Sequence, residues 1–327
     1  MTSFRDTSED ELRARAQELS TQAATLLLSG RLAQAMPVCV ATADAFRELH
    51  KRRPQMYALD LAMALNNLVA TLQALGRHGE TIALQRENVV IRRALAAGGH
   101  PEHVHQLAHA LEGLSGLLLD VEDYQDAVAP GAESVRLRRE LAAADPGAHQ
   151  VELAKALDTY ALALSHADQA GIARRGAIAP VRESVAIWRE LTPGDPASVL
   201  PYLAKALHQA AIVHLRASEE DTGLALFAEA AAAYVELPEE YGPRAASCLC
   251  GYGNILLMCE RPAEAPAPLI AALAMSQRYG LAELARTVAD LLRQAHRADP
   301  GHVEREWARM TDSPLPDWLR RKRRWFH

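Results

Sequence analysis

Four histidines fall within ten residues, His100, His103, His105 and His109, and imidazoles at such density raise the question of a metal. On a helix, His105 and His109 stand one turn apart on one face, a spacing that can hold a transition-metal ion. No carboxylate or cysteine completes a recognisable ligand motif, and His100 belongs to a Pro/Gly connector. The set therefore reads as solvated surface histidines. Cys248, Cys250 and Cys259 are the second candidate. On a helix the first two point to different faces and the third falls at its far end, so they read as small buried hydrophobes. No serine or cysteine sits in a nucleophile elbow, and no glycine-rich phosphate loop is present. No catalytic, cofactor or metal residue is assigned on these grounds, and an enzyme is not the expected class. The last candidate is the basic tail RRKRRWF, Arg320 to Phe326. Its five cations, Arg320 to Arg324, read as a solvated tail, or as a contact for an acidic partner, for nucleic acid or for a membrane surface. Five charges give an affinity that salt erases, so nucleic acid is not the expected partner.

The elements that would position such groups are set by a repeat. Six leucines recur in a common setting, Leu19, Leu65, Leu111, Leu157, Leu207 and Leu249, about 46 residues apart. A second series, the phrases FREL, RRAL, RREL, WREL and YVEL, ends on Leu49, Leu95, Leu141, Leu191 and Leu237. Both series lengthen by four residues in the fourth unit, which places an insertion at Gln169 to Gly176. Self-similarity at a near-fixed period is the mark of a solenoid. Each unit reads as a helix of about 18 residues, a tight turn, a second helix and a Pro/Gly connector. Gly30 and Gly76 stop the first helix of their units as left-handed terminators, whereas Glu122 and Glu260 hold that place in the third and sixth units, which predicts a different turn there.

The chain has 327 residues, 49% of them hydrophobic and only 5% aromatic, with alanine and leucine dominant. That balance favours close-packed helices over a sheet. The formal net charge of −6 is mild, and about −11 resides outside the tail. The four cysteines show no CxxC spacing, no secretion signal opens the chain and no apolar run is long enough to span a bilayer, which predicts a cytoplasmic protein with reduced thiols. Residues 1–9 read as a flexible N-terminus, with Thr7, Ser8 and Asp10 able to cap a helix near Glu11. Residues 10–280 read as the repeat array, 281–319 as capping helices and 320–327 as the basic tail. In the capping segment Trp318 and Leu319 are expected to pack on the preceding helices.

Within each unit a small residue follows the anchor leucine by four positions (Ala23, Val69, Ser115, Ala161, Ala211, Gly253). An apolar one follows by seven, with His214 the exception. This pattern resembles the tetratricopeptide repeat, LNNL at residues 65–68 is similar to the longer-period repeats of kinesin light chains and of many bacterial signalling proteins, and Trp307 with LPDWL at Leu315 to Leu319 resembles the closing segment of such arrays in actinobacterial proteins. The period of 46 exceeds the usual 34 or so, so longer helices are expected. The resemblance implies an all-α, right-handed α-solenoid of about six helix pairs with a C-terminal helical cap. It also implies that the first helix of each pair lines a concave groove. Residue by residue, that places His109, Glu112, Asp120, Lys155, Asp158, His166, Lys205, His208, Arg216 and Asn254 in the groove. These are either ordinary solvated charges or the contacts of an extended or helical peptide. The implied function is a peptide-binding scaffold or regulatory adaptor. The alternatives are an effector sensor of the peptide-pheromone-receptor kind, or an all-α enzyme with a site in the middle of the groove.

Overall fold

The computed structural model describes residues 7–167 and 175–320. Among them all regular structure is helical, and consecutive helices from Glu9 to Ala167 and again from Ile178 to Thr311 pack against one another, as the hairpin-repeat reading requires. Two compact units are present, one up to residue 173 and one from residue 174 on. The first holds α1 (Glu9–Leu28), α2 (Leu32–Arg52), α3 (Pro54–Ala74), α4 (Thr81–Ala96), α5 (Pro101–Asp120), α6 (Tyr124–Ala144) and α7 (Pro146–Ala167). The second holds α8 (Ile178–Leu191), α9 (Pro196–Arg216), α10 (Glu220–Glu236), α11 (Gly242–Met258), α12 (Pro266–Arg278), α13 (Ala282–Ala298), α14 (Pro300–Thr311) and α15 (Asp317–Arg320). The fourth repeat thus contributes α7 to one unit and α8 to the other. Most of the insertion expected there, and the tail beyond Arg320, lie outside the described residues.

The six anchor leucines are buried, Leu65, Leu157 and Leu207 completely. The small residue four positions later lets the paired helices approach: at Gly253 a Cβ would lie 2.5 Å from Leu269 Cγ. Where the other units place an apolar residue at +7, His214 is buried instead. Its Nδ1 meets Glu219 Oε2 at 2.6 Å, which satisfies a polar group in a core slot.

Proline starts the first helix of most hairpins, at Pro54, Pro101, Pro146 and Pro196, where its missing N–H would have no intrahelical partner anyway. The aspartates before Pro146, Pro196 and Pro300 act as caps: Asp145, Asp195 and Asp299 accept from the N–H groups of Ala148, Ser198 and His302. At the N-terminus Ser8 forms a capping box with Glu11, and α1 begins at Glu9, two residues earlier than expected.

The turn inside the hairpin is one motif in the five hairpins whose turns lie among the described residues, and here the expectation of a different turn at Glu122 and Glu260 is corrected. Gly30 and Gly76 have φ near +70°, but Glu122 (+61°), Ser218 (+64°) and Glu260 (+55°) adopt the same left-handed conformation. In each the next residue's N–H reaches back five positions, as from Asp123 to Leu118 and from Arg261 to Leu256. Packing of the two helices dictates the turn, and the residue at its apex conforms.

At the C-terminal end, α13 lays Val288, Leu292 and Ala295 against the last hairpin, and α14 buries Val303 and Trp307. Trp318 meets Trp307 edge-on at 6.3 Å, Arg293 lies 5.4 Å over the Trp318 ring, and Leu319 is buried.

Candidate functional site

Met63, His109 and Lys155 hold the same place in three successive repeats, two residues before the anchor leucine. They mark one face of α3, α5 and α7 in the first unit. On α3 this face is apolar: Met56, Leu59 and Met63 are all exposed. On α5 and α7 it is ionisable, with His105, His109 and Glu112 on the one and His149, Glu152 and Lys155 on the other.

Beneath these groups stands a residue that the groove positions do not include. Arg138 of the second helix α6 is 1% exposed, and its Nη1 lies 3.0 Å from His105 Nδ1. A guanidinium only donates, so His105 accepts on Nδ1 and carries its proton on Nε2. Glu112 Oε2 is 3.7 Å from Arg138 Nη2, an ion pair without hydrogen-bond contact, and Arg138 Nε has no partner. In α4, Arg92 is 6% exposed and donates through Nε to Asn88 Oδ1 at 3.0 Å.

The electrostatics follow from this burial. Desolvation lowers the pKa of His105, and Arg138 lowers it further. For His109 desolvation again comes first, followed by Arg138, Arg92 and His105. Burial raises the Glu112 carboxyl above its ordinary value, with Arg138 and Lys155 pulling it down and Glu152 and Asp158 pushing it up. The neighbour of the histidine group is thus a cation, which disfavours a bound metal ion at His105.

The remaining predicted positions in the first unit differ in character. Asp120 is exposed at the end of α5, and His166 stacks on Tyr124 with ring centroids 4.8 Å apart. Asp158, expected to line the groove, is buried at 7%, as Cys250 is at the same register in α11, whereas Asn66, Glu112 and His208 at that register stay partly exposed.

The second unit holds Lys205, His208, Arg216 and Asn254. Lys205 and Arg216 are exposed on α9. His208 packs on Phe227 (4.9 Å) and Tyr234 (6.5 Å), and desolvation lowers its pKa. Asn254 Nδ2 points to Met258 Sδ at 3.9 Å, and Met258 itself is exposed. Of the ten positions expected in the groove, six belong to the first unit and four to the second.

A shallow pocket also opens between α4 and α6, floored by Val89, Leu111, Leu114 and Pro130. Its rim arginines are already paired, Arg86 with Asp126 at 2.7 Å and Arg93 with Glu133 at 2.6 Å, so it offers less unmet chemistry than the face above.

Arg92 and Arg138 were legible in one respect. They open the phrases RRAL and RREL, where the other units have Phe46, Trp188 and Tyr234, and all five side chains are buried. The signal was an aromatic slot filled twice by arginine.

No protein-family model matches the chain, and no curated protein matches it. Among solved structures it is similar to BtubC (BKLC) from P. vanneervenii, at 14% identity over 87% of this chain and 94% of that one, with a TM-score of 0.44. A putative kinesin light chain from Podosopora anserina with nearly identical TPR-like repeats is 16% identical over 69% of this chain and 96% of its own, with a TM-score of 0.44. A signal-transduction ATPase with numerous domains from Pyrococcus horikoshii, which carries a tetratricopeptide-repeat sensor, is 13% identical over 94% of this chain and 51% of its own, with a TM-score of 0.31.

Proposed function

We propose that this protein is a binding scaffold that holds a peptide segment of a partner protein on the first-helix face of its hairpins. The observation that carries the reading is the exposed trio Met56, Leu59 and Met63 on α3, beside the ionisable surface of α5 and α7. Adjacent exposed apolar side chains favour a surface that becomes covered, and methionine adapts to varied partners. The charged neighbours supply orientation, so the fitting ligand is amphipathic, with an apolar stretch and at least one anionic residue to meet Lys155.

The test is selection of binders from a displayed random-peptide library, followed by affinity measurement on wild type and on Met63→Glu and Lys155→Glu variants. Helix content is checked by circular dichroism. Selected peptides should share an apolar stretch with a neighbouring acidic residue and lose about tenfold or more in affinity for either variant, the size of a good interface contact. Peptides that bind both variants as well as wild type would sink the placement. No described helix is long and apolar enough to cross a membrane.

A further inference from the structure

We propose that Arg92 and Arg138 form a recessed oxyanion site at the first-helix face of the first unit, opening beside His109. Three observations lead to it.

The first is the slot itself. Position three before the leucine of each second-helix phrase is buried in all five repeats, and phenylalanine, tryptophan and tyrosine fill it in three. An aromatic ring satisfies that slot without leaving donors unmet. The two arginines sit in consecutive repeats, on the helices α4 and α6 that both pack against α5. Burial of a guanidinium is costly unless it is fully paired, so two in a slot that takes apolar residues elsewhere point to a role beyond packing.

The second is the donor inventory. A guanidinium presents five N–H groups. Arg138 places one on His105 Nδ1, its Nε is buried without a partner, and its nearest carboxylate oxygen is too far for a hydrogen bond. Arg92 places one on Asn88, whose own Nδ2 is buried without a partner. Each arginine keeps planar donors in reserve, the fork geometry that matches carboxylate and phosphate oxygens.

The third is the mouth. His109, one turn beyond His105, is exposed on α5, the helix against which both arginine-bearing helices pack. Glu112 is the resident counterion, held short of contact, and an incoming oxyanion with better geometry would take its place. The chemistry required is that of a phosphate or carboxylate oxyanion, free or carried on a larger molecule, and it does not depend on the peptide reading above.

The slot also supplies the test. The double variant Arg92→Phe/Arg138→Phe installs the residue used at Phe46, so its fold should persist. Thermal melting is followed with inorganic phosphate, or separately with succinate, titrated against chloride at constant ionic strength. A ligand that binds only the native state raises the melting temperature, and a rise of about 2 °C or more is expected for wild type and its loss in the variant. Response to phosphate alone identifies a phosphate ligand, response to succinate alone a carboxylate, and response to both the shared oxyanion chemistry. No response in wild type beyond chloride, or an equal response in both proteins, overturns the proposal. Should the variant fail to fold, nitrogen-15 spectra of the arginine Nε–H groups in wild type decide: two buried resonances that shift and saturate with the active anion support the site, and none that do so overturn it.

Discussion

At the scale of single residues, the left-handed turns give the sharpest expectation. Glu122, Ser218 and Glu260 hold a conformation that costs an L-residue with a Cβ about 1 kcal/mol or more, while Gly30 and Gly76 hold it freely. Substitution of Glu122 or Glu260 by glycine should therefore raise unfolding free energy by about 0.5–1 kcal/mol, as read from urea midpoints at unchanged m-value. The titrating groups give a second. His105, His109 and His208 have pKa values below 6.5 in the folded chain, chiefly through desolvation, with Arg138 and Arg92 adding to it at His109. As pH falls below 6.5 the unfolded chain takes up these protons first. Their contribution to stability is full above that pH and is lost as pH falls through the folded values. Glu112 runs the other way: its raised pKa means the folded chain binds that proton first, so acidification relieves its burial penalty. The unfolding free energy should fall from pH 7 towards pH 5.5 or so, and His109→Gln should flatten the decline. A stability profile that is level over that range, or unchanged by the substitution, would contradict a His109 pKa lowered by burial and by the charge of Arg138 and Arg92.

At the scale of elements, the second helices carry a ladder of ion pairs along the repeat. Arg47 meets Glu87 through Nε and Nη2, Arg93 meets Glu133 and Arg189 meets Glu229 in the same way, each pair 40 residues apart. The arginine is the one two places before the phrase leucine, which explains why that letter recurs in REL and RAL. Half-exposed pairs of this kind contribute about 0.5 kcal/mol each and set register more than stability. The strength lies in the apolar contacts, and those need an end. Helix α13 packs on both α11 and α12, and α14 on α12. A chain ending at residue 280 should uncover the apolar surface of that hairpin, seen as increased dye binding and aggregation with loss of helical signal. A truncated chain that stayed monomeric with an unchanged melt would show that α13 and α14 are dispensable.

For the molecule as a whole, the repeat makes each unit's core a stack of similar interfaces, and stability should accumulate hairpin by hairpin. What the sequence by itself determined is what depends on neighbours close along the chain. The period, the pairing of first with second helices, the burial of the anchor leucines, the proline starts and the glycine turns all follow from local spacing, since each hairpin closes over fewer than 50 residues. The tertiary structure decided what depends on how one hairpin meets the next. It sank Asp158 between helices although its neighbours in the same register stay partly open, and it imposed left-handed geometry on Glu122 and Glu260. It also brought Arg138 of a second helix up beneath His105 and Glu112 of a first. A period assigns a side chain to a face of its own helix. Whether that face meets solvent, a methyl group or another repeat's guanidinium is fixed only when the helices pack, because burial and unmet hydrogen bonds belong to the assembled interface and to no single stretch of chain.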